Sequence, residues 1–446
     1  MNHSISIISL GCSKNLVDSE QMMGILKENN FILSENEEEA EIIIINTCGF
    51  IDKAKEESIN TILEAAQYKE NGKCKMLIVA GCLGERYREE LMKELPEVDG
   101  ILGTGNINDI VALINELLKG EKVIRVGEID ADYDESIRRI LNDKEFTSYI
   151  KIAEGCDNLC TYCIIPSLRG KYRSRKVEDI IREANQLVSN GTKEIILIAQ
   201  DTTKYGIDIY KEYKLPYLLE ELNKIEGLEW IRILYLYPDT FQDELIESIK
   251  ENSKVAKYVD IPIQHISNAV LKRMNRKTSK ESITGLINKL RMIIPDITIR
   301  TTLIVGFPGE TEDEFMELYE YVKEMKFDRL GVFTYSKEDG TPASLLDNQI
   351  DEETKVKRQD LLMELQQQIS LEKNSFKIGS KYKVIIDEKA EDKVYIGRTY
   401  MDSPEIDGVV YINSEDELEV GSFKNIVISD CLEYDLIGDV LNESGK

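Results

Sequence analysis

The chain has 446 residues, enough for about three domains of roughly 150 residues each. Its formal net charge of −27 argues against general binding to nucleic acid, whose affinity comes largely from Lys and Arg on phosphates; the charge suits a basic partner, or simply a soluble surface. The first residues lack the basic and apolar segments of a signal peptide, and no apolar run approaches the roughly 20 residues that cross a bilayer, so we expect a cytoplasmic protein without a membrane segment.

Residues 1–120 alternate short apolar runs with helical stretches, which predicts a flavodoxin-like or Rossmann-like parallel α/β domain. We predict strands at residues 5–10, 41–46 and 76–80, and helices at 18–28, 52–69 and 108–118. Residues 121–145 are highly charged and poorly periodic, which is typical of a linker. The predicted first domain therefore ends at about residue 120.

A cysteine follows each of the three predicted strands: Cys12, Cys48 and Cys82. Ligands of open α/β sheets gather at the carboxyl ends of the strands, so these thiols should converge on one point. Free cysteine is also a common buried small hydrophobe, and Cys74 and Cys431 fit that simpler interpretation. Three cysteines that each lie just past a strand favour a shared ligand set.

Residues 154–175, EGCDNLCTYCIIPSLRGKYRSR, hold Cys156, Cys160 and Cys163 in a Cys-x-x-x-Cys-x-x-Cys spacing. Iron–sulfur clusters are usually held by four cysteines, so three thiolates this close predict a [4Fe–4S] cluster with one open iron. Structural zinc would normally show paired ligands and four in total, whereas the two histidines of the chain lie far from this loop. Disulfides are not expected in a reducing compartment.

This loop resembles the cluster loop of the radical SAM superfamily, in which Tyr162 would pack against the cluster and the open iron would bind S-adenosylmethionine (SAM). With the N-terminal cysteines added, the chain resembles the methylthiotransferase family over nearly its whole length. The resemblance implies a second [4Fe–4S] cluster on Cys12, Cys48 and Cys82, which carries sulfur. It also implies a sulfur donor and an electron donor such as a flavodoxin or ferredoxin.

Residues 146–373 contain six strand-plus-helix units, which predicts a partial (β/α)6 barrel with its site at the carboxyl ends of the strands. By resemblance, Gly191 and Glu194 belong to the motif that binds the amino group of SAM, although an ordinary turn explains them equally well. Gly306, in the segment TTLIVGFPGET, would lie beside the adenosyl group. Gln264 and His265 follow the fourth strand and face the same mouth, where His265 fits a hydrogen-bonded structural residue. We predict the strands at 149–153, 194–199, 231–235, 258–261, 298–305 and 329–335.

Four basic residues follow the third cysteine of the cluster loop: Arg169, Lys171, Arg173 and Arg175. They could hold a carboxylate of cofactor or substrate, or form an ordinary solvated loop. The spacing leaves both interpretations open.

Residues 375–441 show five short alternating strands, which predicts a small antiparallel β-barrel of the oligonucleotide-binding kind; the family ends in such a TRAM domain. From residue 375 onward there are sixteen Asp or Glu and eight Lys or Arg, a net charge of −8. That charge repels phosphate and attracts a basic protein. Three of these acidic residues, Asp402, Glu405 and Asp407, lie within the single loop 397–408.

The acidic barrel and the segments SLGCSKNLVDSE, QDTTKYG and YLYPD resemble the branch of the family that methylthiolates a ribosomal protein. We therefore predict that the chain adds a methylthio group to the β-carbon of an aspartate of the twelfth small-subunit ribosomal protein, using two molecules of SAM. Methylthiolation of tRNA adenosine with the same clusters is the alternative within the family. A non-catalytic iron–sulfur or zinc protein, such as a redox sensor, is the alternative of another class.

Overall fold

The first part of the chain folds into a parallel sheet with helices on both faces. The computed structural model describes residues 3–131, 133–136, 139–141 and 146–441. The strands pair in the order β2-β1-β3-β4-β5-β6, all parallel. They are β1 (Ser4–Ser9), β2 (Ile32–Leu33), β3 (Ile42–Thr47), β4 (Met76–Gly81), β5 (Gly100–Leu102) and β6 (Val123–Arg125). The helices are α1 (Ser13–Glu28), α2 (Asp52–Ala66), α3 (Tyr68–Asn71), α4 (Cys82–Glu94) and α5 (Ile110–Leu117).

The three strands expected here correspond to β1, β3 and β4, and the parallel α/β prediction is confirmed. Three short strands, β2, β5 and β6, and the helix α4 were not predicted, because two or three residues show no hydrophobic period and α4 is rich in charge. The predicted linker begins inside this sheet, since β6 forms its edge. Helix α1 begins at Ser13 instead of residue 18.

The central part of the chain is a partial parallel barrel. Its strands are β7 (Thr147–Lys151), β8 (Ala153–Glu154), β9 (Arg173–Ser174), β10 (Glu194–Ile198), β11 (Trp230–Ile233), β12 (Tyr258–Asp260), β13 (Thr298–Val305) and β14 (Arg329–Thr334). Its helices are α6 (Ile165–Arg169), α7 (Val177–Ser189), α8 (Leu215–Asn223), α9 (Asp243–Glu251), α10 (Asn268–Arg273), α11 (Lys280–Ile293), α12 (Glu312–Met325) and α13 (Glu352–Ser375).

The barrel is formed by six strands, β7 and β10 to β14, which lie side by side in chain order. Strands β8 and β9 pair with each other outside the barrel. The strands β7, β10 and β11 join the strands β12 to β14 at Ile231. Its N–H donates to the Lys254 carbonyl at 2.8 Å, and its carbonyl accepts from Ala256 N–H at 2.9 Å. Alternate residues of β10 face opposite ways: Ile195 packs with the outer helices, whereas Ile196 packs in the barrel interior. The predicted six-stranded barrel is therefore confirmed.

The last part of the chain forms a closed five-stranded barrel in the order β15-β16-β17-β19-β18. Its strands are β15 (Lys381–Glu391), β16 (Val394–Arg398), β17 (Val410–Asn413), β18 (Phe423–Cys431) and β19 (Leu436–Val440). It packs under the amino ends of the central strands, where Trp230 meets Phe423 edge-on with ring centroids 4.8 Å apart. No helix in the described ranges is long and apolar enough to cross a membrane.

Candidate metal centre

The N-terminal cysteines lie at the carboxyl ends of three neighbouring strands, β1, β3 and β4. Cys12 precedes α1, and Cys82 is the first residue of α4. The turns that carry them lie close together: a Cβ placed on Gly11 would fall 2.7 Å from the Cβ of Cys48 and 3.2 Å from its Sγ, and the thiols of Cys12 and Cys82 are near enough to raise the pKa of Cys48. The structure therefore brings Cys12, Cys48 and Cys82 together as the strand positions predicted.

These thiols lie in surroundings that suit a metal ligand. Burial, together with the nearby Cys82 and Cys12, raises the pKa of Cys48 to about 12. Burial also raises the pKa of Cys82. A thiolate is the form that binds metal, and the positive charge of a bound metal ion offsets the cost of burying the thiolate.

Gly81→Ala is expected to disrupt this cysteine group. Gly81 has a φ of 87°, and an added Cβ would lie 2.3 Å from Asn46 Oδ1 and 2.7 Å from the Thr47 carbonyl. We expect a loss of about 1–3 kcal/mol in the free energy of unfolding, together with loss of iron bound by the N-terminal cysteines. Denaturant unfolding and iron analysis measure both.

Gly120→Ala is the matched control for this substitution. Gly120 has a similar φ of 90°, but a Cβ there would meet nothing within 4 Å. It should therefore show backbone strain without iron loss. Full iron content in the Gly81 variant would contradict the packing argument.

The second cysteine group lies in the loop between β8 and β9, whose pairing closes the base of the loop. Burial, together with the neighbouring thiols, raises the pKa of Cys156 to about 11 and that of Cys163 to about 12. Thr161 anchors the loop, because its N–H donates to the Met274 carbonyl at 3.1 Å and its hydroxyl donates to the Arg273 carbonyl at 2.9 Å.

Aromatic and cationic groups surround Cys160. Tyr162 packs in an apolar cluster with Met274 and Phe307. Arg276 and Tyr237 each approach the Cys160 thiol, and the guanidinium lies 4.0 Å from the centre of the Tyr237 ring. Sequence reasoning missed both residues. Tyr237 lies in the segment YLYPD, which was a usable signal, whereas Arg276 lies between two helices and carried none.

The described residues include no three His, Cys, Asp or Glu side chains close enough to bind a single metal ion. A [4Fe–4S] cube differs, because its cysteine ligands bind separate irons. Two buried acceptors at the same edge have no hydrogen-bond partner in the described part of the chain: Gln200 Oε1, just past β10, and Gln264 Oε1, just past β12. Buried polar atoms are normally paired, so both fit a polar ligand in the barrel mouth.

Two of the expected SAM residues lie elsewhere. Gly191 and Glu194 are at the amino end of β10, opposite the cysteine loops. The Glu194 carboxylate is fully buried and accepts from Arg232 Nε at 3.0 Å and from Arg398 Nη1 at 2.8 Å. Burial raises the pKa of Glu194, but the two guanidiniums lower it by more, so it stays below its usual range. The expected contact of Glu194 with the SAM amino group is therefore wrong. Glu194 instead forms salt bridges that join the central barrel to the C-terminal barrel.

Gly306, the third expected residue, follows β13 at the mouth. A Cβ there would lie 2.2 Å from Cγ of Lys355, so close packing on α13 requires glycine at this position. His265 is fully buried, and its Nδ1 accepts from the Ser267 N–H at 3.0 Å, which fits the structural interpretation.

Glu194→Ala is expected to cost about 3–5 kcal/mol of unfolding free energy, because it leaves two buried guanidiniums without their shared partner. The matched control is Glu229→Ala, since Glu229 bonds to Lys383 at 2.6 Å across the same boundary but is 46 % exposed. The control should cost about 0–1 kcal/mol. Denaturant midpoints measure both, and weaker SAM binding in Glu194→Ala without lost stability would restore the original assignment.

The basic residues after the cluster loop are mostly engaged within the protein. Arg169 and Arg175 are buried, Arg173 bonds to Asp130 at 3.1 Å, and Lys171 is exposed. Arg175 pairs with two carboxylates, Glu135 at 2.5 Å and Glu183 at 2.6 Å. Arg169 turns towards the N-terminal domain. Only Lys171 therefore fits the prediction of a solvated loop.

The acidic loop of the last domain also faces inward. Asp402 binds the Arg329 guanidinium at 2.5 Å, and Asp407 accepts from the Tyr258 hydroxyl at 2.7 Å. Of the three acidic residues in this loop, Glu405 alone is exposed. The idea that Asp402 and Asp407 contribute to a partner-facing surface is wrong, because they fasten the small barrel to the amino ends of β14 and β12.

Comparison with known proteins agrees with this architecture. Residues 4–103 match the uncharacterized protein family UPF0004, residues 150–322 the radical SAM superfamily, and residues 378–441 the TRAM domain. The chain is therefore a radical SAM protein with an N-terminal α/β domain and a C-terminal TRAM barrel.

Curated relatives match along the whole chain. The ribosomal protein uS12 methylthiotransferase RimO of Clostridioides difficile is 54 % identical over 439 residues, covering 98 % of this chain and 99 % of the relative. The protein of the same name from Caldanaerobacter subterraneus subsp. tengcongensis is 55 % identical over 436 residues, with the same coverage of each chain. The chain belongs to the uS12 methylthiotransferase RimO family.

Solved structures share the fold at low identity. The radical S-adenosylmethionine methyltransferase TsrM from Kitasatospora setae, solved with cobalamin and a [4Fe–4S] cluster bound, superimposes with a TM-score of 0.59. It is 12 % identical, and the match covers 77 % of each chain. At this identity the likeness concerns the fold alone.

Proposed function

We propose that the chain adds a methylthio group to the β-carbon of an aspartate of ribosomal protein uS12. The observation that carries this proposal is the presence of two three-cysteine groups, one at the carboxyl ends of β1, β3 and β4 of the α/β domain and one in the loop between β8 and β9 of the barrel. When bound, a [4Fe–4S] cluster on Cys156, Cys160 and Cys163 would generate with SAM the radical that removes hydrogen from the aspartate, and a second cluster on the other three cysteines would hold the transferred sulfur.

Side chains at the mouth would hold SAM and shield it. The unpartnered oxygens of Gln200 and Gln264 supply acceptors for an ammonium group or ribose hydroxyls. Helix α1 closes the interior of the barrel: Val17 packs among the inward residues of β10, and Lys14 Nζ lies 3.2 Å from the centre of the Tyr235 ring. This arrangement excludes water, which protects a radical reaction from side reactions.

The charge of the last domain supports a basic protein as the substrate. Four carboxylates of the loop after β17 are exposed: Glu415, Asp416, Glu417 and Glu419. The small barrel lies at the amino ends of the central strands, so these groups act by long-range attraction rather than by contact at the mouth.

The proposal includes a cytoplasmic location, where thiols stay reduced, a flavodoxin or ferredoxin as electron donor, and a separate sulfur donor.

A substrate competition tests this function. The anaerobically reconstituted protein, with reductant and SAM, is incubated in separate reactions with uS12, with uS12 whose target aspartate is replaced by asparagine, and with bulk tRNA. Mass spectrometry should detect one added methylthio group on the first substrate only. Modification of tRNA alone would support the other branch of the family, and iron–sulfur clusters that do not respond to SAM would support a redox sensor.

A further inference from the structure

One amide side chain connects the turns that carry the N-terminal cysteines. Asn15 Nδ2 donates to the Leu10 carbonyl at 2.9 Å and to the Thr47 carbonyl at 3.0 Å, next to the turns of the first two cysteines. Its Oδ1 lies 4.0 Å from Cys82 Sγ and accepts from Arg169 Nη2 at 2.5 Å. Asn15 therefore joins all three turns to one residue of the radical SAM domain.

Arg169 crosses the boundary between the two cysteine groups. It is the last residue of α6, directly after the radical SAM loop, and only 3 % of it is exposed. Besides the bond to Asn15, its Nη1 donates to Asp18 Oδ2 at 2.7 Å and to Glu154 Oε2 at 3.3 Å. Asp18 belongs to α1 and Glu154 to β8, so a single guanidinium holds groups of both domains.

Arg169 also lies close enough to the N-terminal cysteines for its charge to lower the pKa of Cys48 and of Cys82. Lys151 bonds to the same two carboxylates as Arg169, to Glu154 at 2.8 Å and to Asp18. The thiol of Cys82 is within hydrogen-bonding reach of Arg169, whose charge opposes the rise in the Cys82 pKa that burial causes. A buried cation next to a metal-bound thiolate stabilises added negative charge, and net charge and hydrogen bonds to sulfur set the potential of an iron–sulfur cluster.

We infer that Arg169 is a positioning residue for the N-terminal cluster: through Asn15 it fixes the three cysteine turns against the radical SAM loop, and its guanidinium raises the reduction potential of the cluster held there. The inference rests on the proposed second cluster. It assigns to the basic segment after the radical SAM loop a function that is neither SAM binding nor solvation.

The test isolates the second cluster. In a chain with Cys156→Ala, Cys160→Ala and Cys163→Ala, only the N-terminal cysteines can be reconstituted, and a redox titration monitored by electron paramagnetic resonance gives the midpoint potential. Adding Arg169→Gln should shift the one-electron equilibrium at least tenfold towards the oxidised form. A tenfold shift corresponds to a midpoint potential about 59 mV more negative. Arg169→Lys keeps the positive charge, so its midpoint potential should lie close to that of the parent, although lysine loses the forked bonds to Asn15 and Asp18.

Arg175→Gln is the matched control. Arg175 is also buried in the same segment, but its carboxylate partners are Glu135 and Glu183. This change should leave the potential of the second cluster unaltered. An unaltered potential in Arg169→Gln would overturn the inference, as would loss of the cluster in both glutamine variants. Loss in Arg169→Gln alone, with recovery in Arg169→Lys, would support it. If the parent variant bound no cluster at all, the proposed second cluster would itself be wrong.

Discussion

A Cys156→Ala variant is expected to lose detectable cleavage of SAM while it keeps about half of its iron. Its loop offers three thiols, and with one removed the two that remain cannot hold a cluster that is usually bound by four ligands. The N-terminal group is untouched, so about four of about eight irons should stay bound. Iron and sulfide assays after anaerobic reconstitution, together with chromatography of 5′-deoxyadenosine, measure both quantities.

Cys74→Ser provides the control for this experiment. Cys74 is buried, and its thiol donates to the Met76 carbonyl at 3.4 Å. It follows α3 and lies in the apolar core of the first domain, away from the strand ends that carry the ligand set. The serine variant should bind all its iron and cleave SAM at the normal rate. Formation of 5′-deoxyadenosine by the Cys156 variant would contradict the assignment of the loop.

A Cys12→Ala variant is expected to keep the cleavage of SAM but to lose the transfer of the methylthio group. Cys12, Cys48 and Cys82 lie on the α/β domain, so their loss leaves the loop between β8 and β9 intact. We expect continued cleavage of SAM, about half of the iron and no methylthio group on uS12. The combined measurement is mass spectrometry of uS12 and quantification of 5′-deoxyadenosine in one reaction.

Cys431→Ser serves as the partner control, because Cys431 ends β18 in the small barrel, far in the fold from both cysteine groups. Its variant should transfer methylthio groups normally. If the Cys12 variant still modified uS12, sulfur delivery through the N-terminal cysteines would be ruled out, whereas failure to cleave SAM would show that the two groups depend on each other for assembly.

The cysteine groups were accessible to sequence reasoning because both depend on local patterns. The spacing of Cys156, Cys160 and Cys163 lies within one loop, and Cys12 and Cys48 each follow an apolar run long enough to be recognised as a strand. Parallel strands place their carboxyl ends at one edge of a sheet, so the convergence followed from the order of the elements.

Helix α1 shows where such reasoning ends. Its sequence, SKNLVDSEQMMGILKE, has many polar residues, and a helix of this kind would be expected to expose them. Six of them are buried instead, because the helix lies between the first sheet and the interior of the barrel: Lys14, Asn15, Asp18, Ser19, Glu20 and Gln21. Some of their partners lie in the central domain, such as Arg169 for Asn15 and Asp18, and no periodicity within the helix reveals them.

By itself, the sequence determined the three-part α/β and β architecture, the two sets of cysteines and the chemistry they suit, since strand length, hydrophobic period and ligand spacing are local. Tertiary structure alone decided which charges are free. Glu194 forms a salt bridge with Arg398, Asp402 forms one with Arg329, and Arg169 donates a hydrogen bond to Asn15. Each of these pairs joins residues more than 70 positions apart. Whether a charge meets solvent or an opposite charge depends on how the domains pack, which a linear pattern does not encode.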